Sequence, residues 1–308
     1  MRAYIQFPIN LLRDIHANRF KAFDNMLNSG IYMRAKQLPT DPQSVARQMI
    51  YDYYSKGDFA EAIDNYAEAG NIELNPDYKG FDTAGNFDAD AEIQQLVGIF
   101  ATDSELYSNG FYHLQLHNIQ YAADNLHIEI TNPAAIFKTA QNIDSNAPGA
   151  PFAMVTKDLC FRFRDNEMSE FDLMQFAAHA ALTSILGTKA NCKTNKQMIL
   201  SRMFGYASPQ AVPDPIPANL APMFDKYQKR HHIDKLLKQL KLNWFWAFYA
   251  YYTRGMYVAR CDSKSDLKTT LEGLVLKAET SKENFRIKQQ KTIEHEIRKK
   301  VIQQLQQK

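Results

Sequence analysis

The run from Lys193 to Arg260 restricts the fold of this chain more than any other part. It opens with KTNKQMILSRMFGYAS, in which Thr194 is placed to cap a helix and Met198, Ile199, Met203 and Phe204 recur at helical spacing until Gly205. A proline-rich loop, SPQAVPDPIPAN, separates it from LAPMFDKYQKRHHIDKLLKQLKL, which reads as helix with a bend near His231 and His232. In the latter, Ile233, Leu236, Leu237 and Leu240 form one apolar stripe, and Lys235, Lys238 and Lys241 project elsewhere, preceded by Lys226, Lys229 and Arg230. The sequel, NWFWAFYAYYTRGMYVARC, predicts a β-hairpin: aromatics over 244–252, a tight turn at Thr253-Arg254-Gly255, and a return strand from Met256, Tyr257 and Val258. Arg254 then stands at its tip and Arg260 at its exit. An aromatic-rich helix over 244–252 is the other reading the pattern allows.

Upstream, FAMVTKDLCFRF suggests a strand or extended segment through Val155, Leu159, Phe161 and Phe163. Ser169 then caps a helix whose stripe is Phe171, Met174, Ala178, Ala181, Leu182 and Ile185, closed by Gly187. The first half begins in the same order. YIQFPINLL precedes a helix over AFDNMLNSGIYMRAKQL that Pro39 closes, and Asp41-Pro42 opens a second helix, QSVARQMIYDYYS. Sliding the chain by about 148 residues sets Tyr4 on Phe152, Leu11 on Leu159, Asn18 on Asn166, Phe23-Asp24 on Phe171-Asp172, Met26 on Met174 and Leu38 on Leu186. With one residue inserted, Gln48-Met49-Ile50 falls on Gln197-Met198-Ile199. The pattern is that of an internal duplication. Beyond these helices the halves diverge: the first carries DFAEAIDNYAEAG, a polar loop around residues 75–90, a helix at AEIQQLVGIF, and a Ser108-Asn109-Gly110 turn before FYHLQLHNIQY, which suits strand or helix.

A basic-tipped hairpin directly after a basic helix resembles the wing of the winged-helix family. The resemblance covers roughly residues 152–260 in the order strand, helix, helix, basic helix, hairpin. In tandem, such units are similar to plasmid replication initiators, whose paired winged-helix domains bind repeated origin sequences and can dimerise; a transcription regulator built of the same parts fits nearly as well. The expected fold is mainly α with small β-hairpins (α+β), with an acidic winged-helix-like domain over 1–145, a basic one over 151–262, and a C-terminal amphipathic helix over 263–308. In the last, Phe285, Ile287, Ile293, Ile297, Val301 and Leu305 recur at spacings near three or four. The loop at 207–219 departs from the family by exceeding the short turn of a helix-turn-helix. Loop-closure entropy, which grows slowly with length, tolerates such an insertion.

Charge agrees with a polyanion partner for one half only. Residues 1–150 carry 10 Lys and Arg against 19 Asp and Glu, and residues 151–308 carry 26 against 15. A basic half is the footprint of polyanion binding, and the acidic half is repelled by the same phosphates. The expected partner is double-stranded DNA, contacted by Lys196, Arg202, Lys226, Lys229, Arg230, Lys235, Lys238 and Arg254, with Gln228, Gln239 and Arg230 placed to reach base edges. The acidic half or the C-terminal helix is the expected seat of a homodimer contact. The alternative is a protein-interaction scaffold whose winged-helix-like units bind no DNA.

Enzymatic signatures are missing from the sequence. It has no GxxxxGK[ST] phosphate loop, no GxGxxG turn and no GxSxG elbow, and only 12 glycines. His231 and His232 are adjacent and diverge on a helix, whereas His113 and His117 have helical spacing without the glutamate of HExxH. Asp82, Asp88, Asp90 and Glu92 miss the EF-hand pattern. No cofactor, metal or catalytic residue is therefore expected, with a metal-dependent nuclease as the weakest alternative. Cys160, Cys192 and Cys261 form no CxxC. With 45 % apolar residues the chain can bury real cores, yet no window reaches the roughly 18 uninterrupted apolar residues of a membrane span. The N-terminal stretch carries Asp14 and no secretory h-region, so the expectation is a cytoplasmic protein without membrane contact.

Overall fold

A computed structural model of the chain describes residues 3–56, 90–244, 246–250, 255–260, 272–273, 276–277 and 279–295. The described chain is mainly helical, with its strands in two small antiparallel sheets. It divides into two compact units: unit 1 holds Met1–Leu11, Asn18–Gly149 and Met154–Asn166, and unit 2 holds Leu12–Ala17, Ala150–Ala153 and Glu167–Lys308. Each unit thus includes a short segment from the other half of the sequence, a departure from the simple boundary expected near residues 146–151.

In unit 1, β1 (Tyr4–Pro8) leads through a 3-10 turn (Ile9–Asp14) toward α1 (Arg19–Ala35). Asn18 caps α1 by accepting from the Lys21 amide. Then come α2 (Pro42–Lys56), α3 (Asp90–Phe100), α4 (Ser104–Asn125) and α5 (Pro133–Ser145). Proline stands at the first position of α2, where its missing N–H has no helical partner to lose. The last elements are β2 (Phe152–Thr156), paired with β1 and belonging to this unit from Met154 onward, and α6 (Lys157–Asp165). α1 is the centre of unit 1: it packs on β1, α4, α5 and α6, and buries Phe23, Met26, Leu27 and Ile31. A second cluster joins Val45, Met49 and Ile50 of α2 to Ile93, Leu96, Leu106 and Leu114.

Two expectations fail here for physical reasons. Residues 157–165 are helix, not extended chain, because the positions they bury are Cys160 and Phe163, one helical turn apart. Asn109-Gly110 is no turn; it lies inside α4, where a Cβ on Gly110 would overlap the Met49 side chain and touch Val45 Cγ1 at 3.0 Å. The glycine is there so that α2 and α4 can approach. The segment 58–70 and the polar loop expected around 75–90 lie outside the described residues, apart from the first residue of α3.

In unit 2, the elements are α7 (Glu170–Leu186), β3 (Asn191–Thr194), α8 (Lys196–Met203), α9 (Ala221–Gln228), α10 (Arg230–Asn243), β4 (Trp246–Ala250) and β5 (Met256–Arg260). The sheet runs β3-β5-β4, antiparallel throughout. α7 is the core helix, with Phe176, Ala177, Ala178, Ala180, Ala181 and Leu182 fully buried. β1 and β2 have equal length and stand at the offset of the sequence self-match, and α1 and α7 are both 17 residues long.

Residues 279–295 form a further helix that is exposed along its whole length, Phe285 and Ile293 included. The expected continuation through Ile297, Val301 and Leu305 lies outside the described residues.

Candidate nucleic-acid interface

The basic surface of unit 2 is built on α7. Ser169 and Asp172 close a capping box at its start, and Gly187, at φ 57°, ends it. The strand β3 follows, and Asn195, rather than Thr194, caps α8 by accepting from the Met198 amide. Thr194 is instead the last residue of β3, facing Met256. α8 stops in a Schellman motif: the Tyr206 amide donates to the Ser201 carbonyl and the Gly205 amide to Arg202, with Gly205 at φ 76°.

The bend expected near His231 is a break at Lys229, extended at φ −67° and ψ 132°, which separates α9 from α10. α10 buries Ile233, Leu236, Leu237 and Leu240. Its other side exposes Arg230, His231, Lys235, Lys238 and Lys241. The sequence-expected hairpin is present as β4 and β5, with Trp246 opposite Arg260 and Ala250 opposite Met256, so the helical alternative for 244–252 is overturned. β3, a third strand that the sequence reading did not find, pairs along β5 from Asn191–Ala259 to Thr194–Met256. At Gly255 a Cβ would meet the Thr194 carbonyl oxygen at 3.0 Å.

What anchors helix to hairpin is a polar pair on α7. Trp244 Nε1 donates to Gln175 Oε1 at 3.1 Å, and Trp246 Nε1 donates to His179 Nδ1 at 2.9 Å. Gln175 and His179 lie one turn apart and are buried, as is Trp246. Burial, with a smaller contribution from the Arg260 charge, pushes the His179 imidazole down to about 3. It is neutral, with its proton on Nε2, because Nδ1 accepts. The sequence signal for this junction is a glutamine and a histidine spaced by four within the apolar stretch of α7.

The eight expected contact residues divide. Arg230, with a side chain 90 % exposed, and Lys229, Lys235 and Lys238 lie on the surface of α10 and its entry. Lys235 Nζ stands 5.2 Å above the Phe171 ring. Lys196 is half-buried and bonded to Asp234, and Lys226 holds Glu170 at 2.6 Å, so each carries a carboxylate beside its charge. Arg202 does not belong to the exposed face: half-buried, it donates from Nη1 to Ser184 Oγ at 3.2 Å, and its Nε is buried without a partner. That burial lowers its proton affinity. Arg254 lies outside the described residues.

The histidines also differ from expectation. The rings of His231 and His232 do not diverge; their centroids are 3.9 Å apart. Desolvation, then His231, Lys226, Lys229 and Lys235, hold His232 below the usual histidine range. Stacking is easiest for neutral rings. His113 and His117 lie on α4, which is the helical one of the two readings left open for that segment.

Among the described residues no three His, Cys, Asp or Glu converge as a metal site would require, and no helix is long and apolar enough to cross a membrane. No protein-family model, curated protein or solved structure matches this chain.

Proposed function

We propose that the chain is a duplex-DNA-binding protein of winged-helix type, acting as a replication initiator or a transcription regulator. The observation that carries the reading is the arrangement of unit 2: helix, strand, helix, a long loop, a short helix, basic helix and hairpin, with a three-stranded sheet in the order β3-β5-β4. In this reading α10 enters the major groove with Arg230, Lys235 and Lys238 toward the nucleic acid, and the β4–β5 hairpin follows the neighbouring backbone. One side of α10 is core and the other carries unpaired positive charge, since Lys229, Lys238 and Lys241 hold no ion pair among the described residues. Phosphate contacts supply affinity and Gln239 or Arg230 reads bases.

The parallel between β1 with α1 and β2 with α7 supports an ancestral duplication, which makes unit 1 a second, acidic copy that serves assembly. A second reading, a protein-interaction scaffold, is favoured by one observation: the exposed Phe285, Ile287 and Ile293 of the 279–295 helix.

Fluorescence anisotropy of a labelled duplex with the full chain, over a salt series, tests the proposal. The expected result is a steep linear fall of log affinity with log salt, its slope reduced by about two units in Lys235→Ala/Lys238→Ala and unchanged in Lys138→Ala. Absence of binding at low salt, or an unaltered slope in the double variant, transfers the assignment to the scaffold.

A further inference from the structure

The loop of residues 207–219 lengthens the connection between α8 and α9, and it forms one side of a cleft open to solvent. With α8, α9 and α10 it walls a cavity of about 580 Å³ within unit 2. Sites that enclose small organic ligands span roughly 300–1,000 Å³. The lining is apolar over much of its surface: Leu200, Phe224, Tyr227 and Ile233 come from the helices and are buried, and Val212 and Ile216 come from the loop and are half-buried. Pro209, Pro213, Pro215 and Pro217 fix φ along this loop. Each fixed φ removes freedom that a ligand would otherwise have to order, which lowers the cost of binding.

The charged groups at the cavity are unequal. Lys196 and Arg230, the first residues of α8 and α10, both line it and both turn to Asp234. Lys196 is directly bonded to that carboxylate, whereas Arg230 Nε stands 3.6 Å from Oδ2 on a side chain 90 % exposed. The carboxylate satisfies the lysine and leaves most of the guanidinium fork open. Asp214 is the acidic group of the lining itself, on the loop side. The wider field is positive, because residues 221–243 carry six Lys and Arg against two Asp. An open guanidinium in a positive field beside an apolar floor suits a ligand that is apolar at one end and negatively charged at the other.

We propose that this cavity binds a small organic anion, a carboxylate or sulfonate on an aromatic or short acyl body. Its head is held by Arg230, with Lys196 alongside, and its body lies against Leu200, Phe224, Tyr227 and Ile233. The site does not rest on the duplex-DNA reading, but it shares Arg230 with the proposed DNA face, so a bound anion and a duplex compete for that guanidinium.

The test titrates the full chain with anilinonaphthalene sulfonate, followed by dye fluorescence and by calorimetry. N-phenylnaphthylamine, which has the same rings without the sulfonate, is the uncharged comparison. One molecule of the anionic dye per chain is expected, with the uncharged dye about tenfold weaker. Arg230→Gln reduces affinity for the anionic dye about five- to tenfold and leaves the uncharged dye unchanged. Val212→Trp, which fills the cavity from the loop, abolishes binding of both. Several anionic dye molecules per chain, equal affinity for the two dyes, or unaltered binding by Val212→Trp overturns the proposal. Should Val212→Trp lower the melting temperature, Arg230→Gln decides alone, since an exposed side chain is replaced: unchanged affinity for the anionic dye then refutes the site.

Discussion

His179 is a buried imidazole whose accepting nitrogen is spoken for by Trp246, and this fixes how unit 2 responds to acid. Its folded value, about 3, lies below the ordinary 6.5, so between those limits the unfolded chain binds a proton that the folded chain refuses. Stability from this group is complete above pH 6.5 and declines as pH falls toward 3. At pH 5 the loss relative to neutral pH is about 2 kcal/mol. His16, half-buried against Met174 Sδ at 3.2 Å, is shifted down by burial too and acts in the same direction. Both tryptophans of the chain, Trp244 and Trp246, sit at this junction, so their fluorescence reports on it directly. Urea unfolding at pH 7 and pH 5 is expected to lose about 2 kcal/mol more in the natural chain than in His179→Gln, which keeps His16. Equal losses would mean that the His179 imidazole is not held neutral.

Two helical glycines that look alike in sequence separate at the level of packing. Gly98 in α3 is exposed and has nothing within 4 Å of an added Cβ, whereas Gly110 in α4 is buried against Met49 and Val45. Gly98→Ala is expected to stabilise by about 0.5–1 kcal/mol, since it restores helix propensity at no steric cost. Gly110→Ala is expected to destabilise by about 1–3 kcal/mol, because the crossing helices must separate or Met49 must leave its rotamer. Thermal melts of the two variants should therefore move in opposite directions; movement in the same direction would contradict the packing of α2 on α4. Asn109-Gly110 has the local pattern of a turn and lies in a helix because the glycine answers to a partner some sixty residues away. β3 was missed for the same reason, since four residues, NCKT, carry little strand signal until β5 pairs with them. By contrast, α10 was legible, because its stripe of Ile233, Leu236, Leu237 and Leu240 repeats locally and all four residues are buried. The partners of its neighbours were not, since Glu170 for Lys226, Ser184 for Arg202 and Asp234 for Lys196 are set by tertiary packing.

For the whole molecule, charge and composition divide the chain near residue 150, but its cores do not divide there. Leu12 and Ile15 are each 1 % exposed and belong to the segment grouped with unit 2, where Arg13 donates to the Gly205 carbonyl at 2.9 Å and its guanidinium stands 4.4 Å over the Tyr206 ring. In the other direction α6 belongs to unit 1, where Cys160 is fully buried, Phe163 meets Phe23 at 6.1 Å, and Arg164 holds Asp24 at 3.0 Å. A cut in the Asn146–Pro151 connection thus leaves each fragment without a buried segment of its own unit. Each lost large apolar side chain removes about 1.5–3 kcal/mol of burial from domains whose whole stability is about 5–15 kcal/mol. Fragments 1–150 and 151–308, produced separately, are expected to melt without a cooperative transition, and their co-expression is expected to restore one. The two fragments carry opposite net charge, so their complementation should weaken as salt rises. Circular dichroism melts of each fragment and of the purified pair make the comparison. A sharp, independent transition in fragment 151–308 would show that Leu12 and Ile15 are dispensable to unit 2, and that the halves fold as the sequence alone divides them.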